Sequence, residues 1–235
     1  MICALVLSGC GPYSKAEKAQ LRADGVYLRA GGVYSQAKDC AHTDSVKKDT
    51  DPAYLVNKFY ALPKGYEPND LESIASVCTV GDTGCNSDEL YLRKEANSAF
   101  QKMVKSGKKH VKIVAISGYR TYDYQLNLWT TNAQTYGQDY ADAYFARAGQ
   151  SEHNTGLAVD ITFNDHPFNE IENYKGYNWI LKNMHTYGFI LRYPKEKEKV
   201  TRYNYESWHL RYVGKKVAKT CFEKNWTLEE YWGNQ

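Results

Sequence analysis

The chain has 235 residues, of which 43% are hydrophobic, and this allows one domain with a hydrophobic core and an N-terminal extension. Its 30 basic and 27 acidic residues give a net charge of only +3, which does not favour binding to nucleic acid. No apolar run reaches the ~18 residues that indicate a transmembrane helix.

The first ten residues are apolar and small, and they end in Leu7-Ser8-Gly9-Cys10. This pattern resembles the end of a bacterial lipoprotein signal, truncated because no Lys or Arg precedes it, with Cys10 as the lipidated residue. The protein would then be exported to the cell envelope and lipid-anchored on the outer face of the bacterial membrane. The alternative is an apolar terminus without this role. Residues 11–50 are polar and predict a spacer, and residues 51–235 predict the folded domain.

Four further cysteines admit three disulfide pairings: Cys40, Cys78, Cys85 and Cys221. An exported protein could oxidise them, and we expect the pairs Cys78–Cys85 and Cys40–Cys221. Free buried thiols are the alternative. None of the four has the Cys-x-x-Cys spacing of a zinc site, so we assign none to a metal.

Residues 88–106 carry apolar side chains at helical spacing and predict a helix capped by Ser87. Residues 111–116 predict a strand, and a second helix follows from Thr121. The apolar residues of that helix are Tyr124, Leu126, Leu128 and Trp129. Arg120 lies at the junction of strand and helix, where side chains commonly reach into a site. A surface ion pair is the alternative for Arg120.

The C-terminal half predicts a similar mixture of elements. Residues 139–149 favour a helical connection, and residues 171–184 favour an amphipathic helix that ends at Gly188. Residues 189–193 and 201–213 predict strands, separated by a charged, solvated hairpin at residues 195–199. Thr227 can cap a short last helix.

The segment from Ser151 to Asp160 contains two good metal ligands, His153 and Asp160. Small and apolar residues alternate after His153 and predict a strand: Gly156, Leu157, Ala158, Val159 and Ile161. The three apolar residues would face a core, and the small ones would share the other face with Asp160. We expect Gly156 and Ala158 to leave space there for a metal ion and a substrate.

A third ligand, His209, follows in Glu206-Ser207-Trp208-His209. Two histidines and one carboxylate with an open fourth position are typical of catalytic zinc sites. Glu206 could then take a proton from water at the metal. From the residues alone the metal site stays an open hypothesis, because spacing cannot pair ligands that are distant in sequence.

Together, Ser151-x-His153-x-x-Gly156-x-Ala158-x-Asp160 and Glu206-x-Trp208-His209 resemble the motifs of the VanY-type zinc D-alanyl-D-alanine carboxypeptidases (peptidase family M15, subfamily B). The resemblance extends over most of the chain, with Ala148-Gly149 where the family usually has Pro-Gly. It implies an α+β fold with a single small antiparallel sheet flanked by helices, similar to the Hedgehog and DD-peptidase zinc fold.

The resemblance also implies a cofactor, Zn²⁺, and a set of site residues. These are the metal ligands His153, Asp160 and His209, the catalytic residues Glu206 and Arg120, and the substrate-binding residues Ser151 and Gln125. In this scheme Glu206 is the general base, and Arg120 stabilises the negative charge that develops on the substrate oxygen.

The implied function is hydrolysis of the C-terminal D-alanine of peptidoglycan stem peptides by a D,D-carboxypeptidase. The close alternative is an L,D-carboxypeptidase acting on tetrapeptide stems, and a lytic endopeptidase of the same fold is a further one. A non-catalytic wall-binding module would be expected to lack Glu206 or a metal ligand, and this chain has them all. We expect a monomer whose only membrane contact is the lipid at Cys10.

Overall fold

The structure is a computed structural model that describes residues 51–74, 90–163 and 166–233. The predicted signal at residues 1–10, the spacer at residues 11–50, and Cys40, Cys78 and Cys85 lie outside the described residues. Cys221 is buried, and its thiol is free within the part of the chain that is described. The domain boundaries and the disulfide pairs therefore stay predictions.

Two antiparallel sheets are present in the described residues. Their strands are β1 (Leu71–Ser73), β2 (Tyr91–Arg93), β3 (Ile113–Ser117), β4 (Ala158–Phe163), β5 (Phe189–Tyr193) and β6 (Glu206–Tyr212). The main sheet has the order β3-β4-β6-β5, and β1 pairs with β2 in a separate two-stranded sheet. The predicted α+β fold is confirmed, whereas the second sheet was not predicted.

Helices surround the main sheet. The α-helices are α1 (Lys94–Gly107), α2 (Tyr122–Tyr136), α3 (Gln138–Tyr144), α4 (Tyr177–Asn183), α5 (Glu198–Thr201), α6 (Lys215–Lys224) and α7 (Leu228–Gly233). Short 3₁₀ helices span Glu152–Thr155, Phe168–Asn173 and Met184–Tyr187. No helix in the described ranges has the length and apolar character needed to cross a bilayer.

The hydrophobic core lies between one face of the main sheet and α1. The predicted core residues of the central segment, Leu157, Val159 and Ile161, are all buried in it. From α1, Phe100 and Met103 are fully buried against them, as the apolar spacing predicts. The opposite face of the sheet carries Asp160 and His209, because alternate side chains of a strand point to opposite sides. The core thus presents the candidate ligands on a rigid support.

Four predicted helical segments differ from the structure, and the one predicted at residues 139–149 ends at Tyr144. The helix at residues 88–106 begins only at Lys94, because Tyr91–Arg93 pairs with β1 instead. In α2 the predicted apolar residues Tyr124 and Leu126 are 42% and 44% exposed, and the side chain that the helix buries is polar, Gln125. The segment 171–184 is divided into a 3₁₀ helix and α4 rather than one helix, and a second 3₁₀ turn ends as predicted at Gly188.

The C-terminal end of the domain is closed by α7. Thr227 caps this helix by accepting a hydrogen bond from the Glu230 N–H at 3.2 Å, and the Glu230 carboxylate accepts one from the Thr227 N–H at 2.8 Å. This reciprocal pair is a capping box, and it confirms the predicted cap. Lys197, from the predicted charged hairpin, forms an ion pair with Glu230 at 2.8 Å. The charged segment is therefore tied to α7.

Candidate metal centre

Asp160 and His209 lie directly opposite each other on the neighbouring strands β4 and β6. Residues paired in this way have Cβ atoms only about 4.5–5.5 Å apart and share one face of the sheet. Oδ1 of Asp160 lies 3.1 Å from Nδ1 of His209. The register of two strands, distant in sequence, thus brings the carboxylate and the imidazole together.

His153 reaches the same place from the 3₁₀ helix Glu152–Thr155, which precedes β4. Its Nδ1 donates a hydrogen bond to the Gly118 carbonyl oxygen at 2.6 Å, because a carbonyl can only accept. The other ring nitrogen, Nε2, therefore has a free lone pair, and it lies 3.2 Å from Oδ2 of Asp160. Each histidine presents one nitrogen to the same carboxylate.

Gly156 makes the turn between the 3₁₀ helix and β4 with a left-handed backbone, φ +67°. A Cβ at this position would lie 2.9 Å from Cδ2 of Leu71 and 3.0 Å from Cγ of Arg93. The expectation that Gly156 shares the Asp160 face and leaves space for substrate was therefore wrong. Its missing side chain instead allows close contact with β1 and β2, and of the two small residues only Ala158 lies on the strand with Asp160.

Glu206 approaches the cluster through an irregularity in β6. On β5, Leu191 and Tyr193 are two positions apart. Their partners on β6, Leu210 and Glu206, are four positions apart, so β6 contains two extra residues here. Residues three apart on a regular strand would point to opposite faces. Because of the extra residues, Oε2 of Glu206 lies 3.5 Å from Nδ1 of His209.

The ligand atoms of His153, Asp160 and His209 all lie within 4.8 Å of one another. Tetrahedral zinc with bonds of ~2.0–2.1 Å separates its ligand atoms by about 3.3 Å, close to the spacings at Asp160. Oδ1 of Asp160 is also buried without a hydrogen bond to any described residue, although Nδ1 of His209 is near. A carboxylate oxygen and a ring nitrogen at this distance, with no hydrogen bond between them, have the spacing of two ligands of one metal ion.

Burial and neighbouring charges shift the pKa values of His209, His153 and Glu206. Burial alone would lower the pKa of His209, but the nearby Asp160 and Glu152 carboxylates raise it to about 9. Burial and the charge of Arg120 both lower the pKa of His153, so its imidazole is neutral, as a metal ligand must be. Burial raises the pKa of Glu206 to about 7, and this makes its carboxylate a stronger base than an exposed one.

Arg120 also joins the cluster, as its position between strand and helix predicts. Its guanidinium donates to Oδ2 of Asp160 at 3.2 Å and to Oγ of Ser117 at 3.1 Å. The side chain is 18% exposed, so it lies at the edge of the site rather than on the open surface. The alternative of a surface ion pair is thus wrong, because the partner of Arg120 is a buried candidate ligand.

Ser151 and Gln125, the two predicted substrate-binding residues, are both buried. The Ser151 hydroxyl accepts a hydrogen bond from the His153 N–H at 3.3 Å and so caps the 3₁₀ helix. Nε2 of Gln125 donates to the Ala146 carbonyl oxygen at 2.7 Å, and its Oε1 is buried without a donor among the described residues. Substrate contacts by these two side chains stay a prediction.

Sequence reasoning missed a group of buried charged residues behind His209: Glu152, Arg192, Arg211 and Glu229. Glu152 follows Ser151 in the motif, and each arginine interrupts an apolar strand, in Phe189–Tyr193 and in Leu210-Arg211-Tyr212-Val213. A charged residue inside such a strand indicates a buried partner of opposite charge. That signal was present in the sequence, but it does not identify the partner.

Comparisons of the sequence and of the structure with known proteins indicate one family. Residues 89–215 match the family described as VanY, D-alanyl-D-alanine carboxypeptidase. The chain belongs to the VanY family. One similar protein, the carboxypeptidase YodJ of Bacillus subtilis (strain 168), is 43% identical over 185 residues, which are 75% of this chain and 65% of YodJ. The chain thus spans just under two thirds of that relative.

Solved structures of similar proteins agree with this family. The LD-carboxypeptidase LdcB has a TM-score of 0.70 and 41% identity, over 77% of this chain and 86% of LdcB. A mutant of the D,D-pentapeptidase VanY, in complex with Zn(II), has a TM-score of 0.62 and 27% identity, over 77% of this chain and 98% of that chain. The zinc in this VanY structure supports Zn²⁺ as the cofactor of the cluster described above.

Proposed function

We propose that the protein is a zinc-dependent carboxypeptidase that removes the C-terminal D-alanine from peptidoglycan stem peptides. The observation that carries the proposal is the convergence of His153, Asp160 and His209, with Glu206 only 3.5 Å from one of them. Three protein ligands leave a fourth position open, as catalytic zinc sites require. When bound there, a zinc ion acidifies water and polarises a carbonyl group.

Glu206 is the general base in this proposal. Its carboxylate takes a proton from the attacking water and then passes it to the nitrogen of the departing D-alanine. The raised pKa of Glu206, about 7, suits both steps, because the group can accept and release a proton near neutral pH. The Glu206 side chain is 21% exposed, so water and a peptide can reach it.

Arg120 stabilises the negative charge that develops on the carbonyl oxygen. Its guanidinium is held at the edge of the site by hydrogen bonds to Asp160 and Ser117. Because the group is held by these bonds before substrate arrives, little reorganisation is needed in the transition state. Arg120 thereby favours the transition state over the ground state.

Ser151 and Gln125 bind the substrate in this proposal. Because the Ser151 hydroxyl accepts from the His153 N–H, its own proton can be donated to the terminal carboxylate of the peptide. Oε1 of Gln125 has no hydrogen-bond donor among the described residues, and in this proposal it accepts a hydrogen bond from an N–H group of the stem peptide.

The stem is a pentapeptide for a D,D-carboxypeptidase and a tetrapeptide for an L,D-carboxypeptidase, and both release D-alanine. The VanY family and the zinc-containing VanY relative support the D,D activity, which we propose as the first candidate. The 41% identity to LdcB, against 27% to that VanY protein, supports the L,D activity as the second candidate.

We propose that the enzyme acts as a monomer in the cell envelope and is anchored to the membrane through a lipid at Cys10. The reason for this location is that its polymeric substrate lies outside the membrane.

Synthetic pentapeptide and tetrapeptide stems distinguish these activities directly. We expect the purified protein to release one D-alanine, detected by mass spectrometry, and a chelator to stop the release until zinc is restored. Loss of one residue from the pentapeptide identifies the D,D activity, and loss from the tetrapeptide identifies the L,D activity. Release that continues at the full rate with a chelator, or no release from either stem, would refute the proposed function.

A further inference from the structure

The two histidines of the cluster differ in the nitrogen that they present to it. His153 presents Nε2, and its Nδ1 is fixed by the Gly118 carbonyl oxygen. His209 presents Nδ1, and its Nε2 points away from the cluster to Oε2 of Glu152 at 3.4 Å. An imidazole that has lost its extra proton carries the remaining one on either nitrogen, so a partner is needed to select the tautomer with a free Nδ1.

Glu152 is positioned to select this tautomer of His209, because each of its two side-chain oxygens has its own partners. Its Oε1 accepts hydrogen bonds from Nε of Arg192 at 2.6 Å and from a terminal nitrogen of Arg211 at 2.8 Å. The carboxylate is completely buried, and only Oε2 is directed at His209. An ionised carboxylate can only accept, so Nε2 of His209 must donate, and the Nδ1 lone pair is left for the metal.

The two arginines that bind Glu152 are themselves held in place by further hydrogen bonds. Arg192 donates two hydrogen bonds to the Glu229 carboxylate of α7, at 2.8 Å and 2.6 Å. Arg211 donates to the backbone carbonyl oxygens of Pro52 and Tyr54, both at 2.9 Å. Two positive and two negative charges balance inside this buried group. The carboxylate therefore has one orientation available to it, with Oε2 toward His209.

We propose that Glu152 is the positioning residue of the metal centre: its carboxylate fixes the tautomer and ring orientation of His209, and Arg192 and Arg211 hold that carboxylate in place. The inference rests on the metal site of the proposed function. Carboxylate partners of metal-binding histidines typically contribute 10–100-fold to metal affinity. A merely structural role for the buried charges would instead affect stability without a selective effect on zinc.

Two variants with the same change in charge separate these roles: Glu152→Gln and Glu229→Gln. Both remove one negative charge from the buried group, but only Glu152 contacts His209. We expect both variants to lose stability toward urea. We expect the Kd for Zn²⁺, measured by competition with a chelator, to rise about 10–100-fold for Glu152→Gln and less than about 3-fold for Glu229→Gln.

The zinc-loaded wild-type protein provides a second measurement that does not depend on the folding of a variant. By NMR, the Nε2 proton of His209 should be present and protected from exchange with water, because it is donated to a buried carboxylate. Equal rises in Kd for the two variants, no rise for Glu152→Gln, or an unprotected Nε2 proton would overturn this inference alone. If wild-type protein binds no zinc at all, the proposed function fails together with it.

Discussion

Glu206 and Arg120 each lie against a candidate ligand, His209 and Asp160 respectively, and neither is a metal ligand in this account. Oε2 of Glu206 lies 3.5 Å from Nδ1 of His209, and the Arg120 guanidinium lies 3.2 Å from Oδ2 of Asp160. The two side chains can therefore be changed without removing a ligand atom. Their contributions to catalysis and to metal binding are separable by experiment.

Replacement of Glu206 by Gln should abolish turnover but retain the metal. The amide has nearly the same shape but cannot accept the proton, so we expect kcat on the cleaved stem peptide to fall by about 10²–10⁴. Zinc content should stay at one ion per chain. Glu172→Gln is a matched control, because that carboxylate pairs with Lys195 rather than with the cluster. Wild-type kcat in Glu206→Gln would show that another group is the base.

Replacement of Arg120 by Ala should mainly lower kcat. Removal of one oxyanion donor from a protease typically costs about 10²–10³ in kcat, and we expect a loss of this order. Arg147→Ala is a suitable control, because it removes an arginine of similar exposure whose partner, Asp142, lies outside the cluster. A rise in KM with unchanged kcat would assign Arg120 to substrate binding instead of transition-state stabilisation.

At the scale of elements, the 3₁₀ helix Glu152–Thr155 and β4 are joined by Gly156, which the sequence pattern assigned to the strand. Alternation alone could not reveal this, because the small–apolar pattern continues through the turn. The left-handed φ of +67° and the contact with Leu71 depend on β1, which is distant in sequence. The turn determines where His153 lies relative to Asp160.

Gly156→Ala and Gly65→Ala should separate crowding from backbone strain. Both glycines have positive φ, +67° and +74°, but a Cβ at Gly65 meets no atom within 4 Å. Each substitution should cost ~1–2 kcal/mol for the left-handed backbone. Gly156→Ala should cost a further ~1–3 kcal/mol for overpacking, measured by urea unfolding, and should weaken zinc binding. Equal losses of stability would contradict the close packing at Gly156.

The irregularity of β6 is a second feature that the sequence did not predict. Glu206 and His209 were paired by their motif, but a regular strand would direct them to opposite faces. Their meeting depends on the register of β6 against Tyr193 and Leu191, which is a non-local property. By contrast, the core-facing positions of α1 and β4 follow from local periodicity, so these were predicted correctly.

At the scale of the whole molecule, the ligands of the metal centre come from β4, β6 and the segment between α3 and β4. The buried charged residues connect this centre to α7 through Glu229. The ligands are brought together only when the sheet is formed. Binding of zinc should therefore be linked to folding, because the unfolded chain does not hold these three side chains together.

Zinc should accordingly stabilise the protein against urea. At a free zinc concentration 100 times Kd, the free energy of unfolding should rise by about 2.7 kcal/mol. His209→Ala is the control, and its unfolding should be insensitive to zinc at the same concentration. An equal effect of zinc on both proteins would show that the ion acts at another place or on the unfolded chain.

The most direct test is anomalous diffraction at the zinc edge from crystals grown with zinc. The account predicts one peak within ~2.0–2.2 Å of Nε2 of His153, Nδ1 of His209 and a carboxylate oxygen of Asp160. A peak away from these three atoms, or one bound to Nε2 of His209, would contradict it.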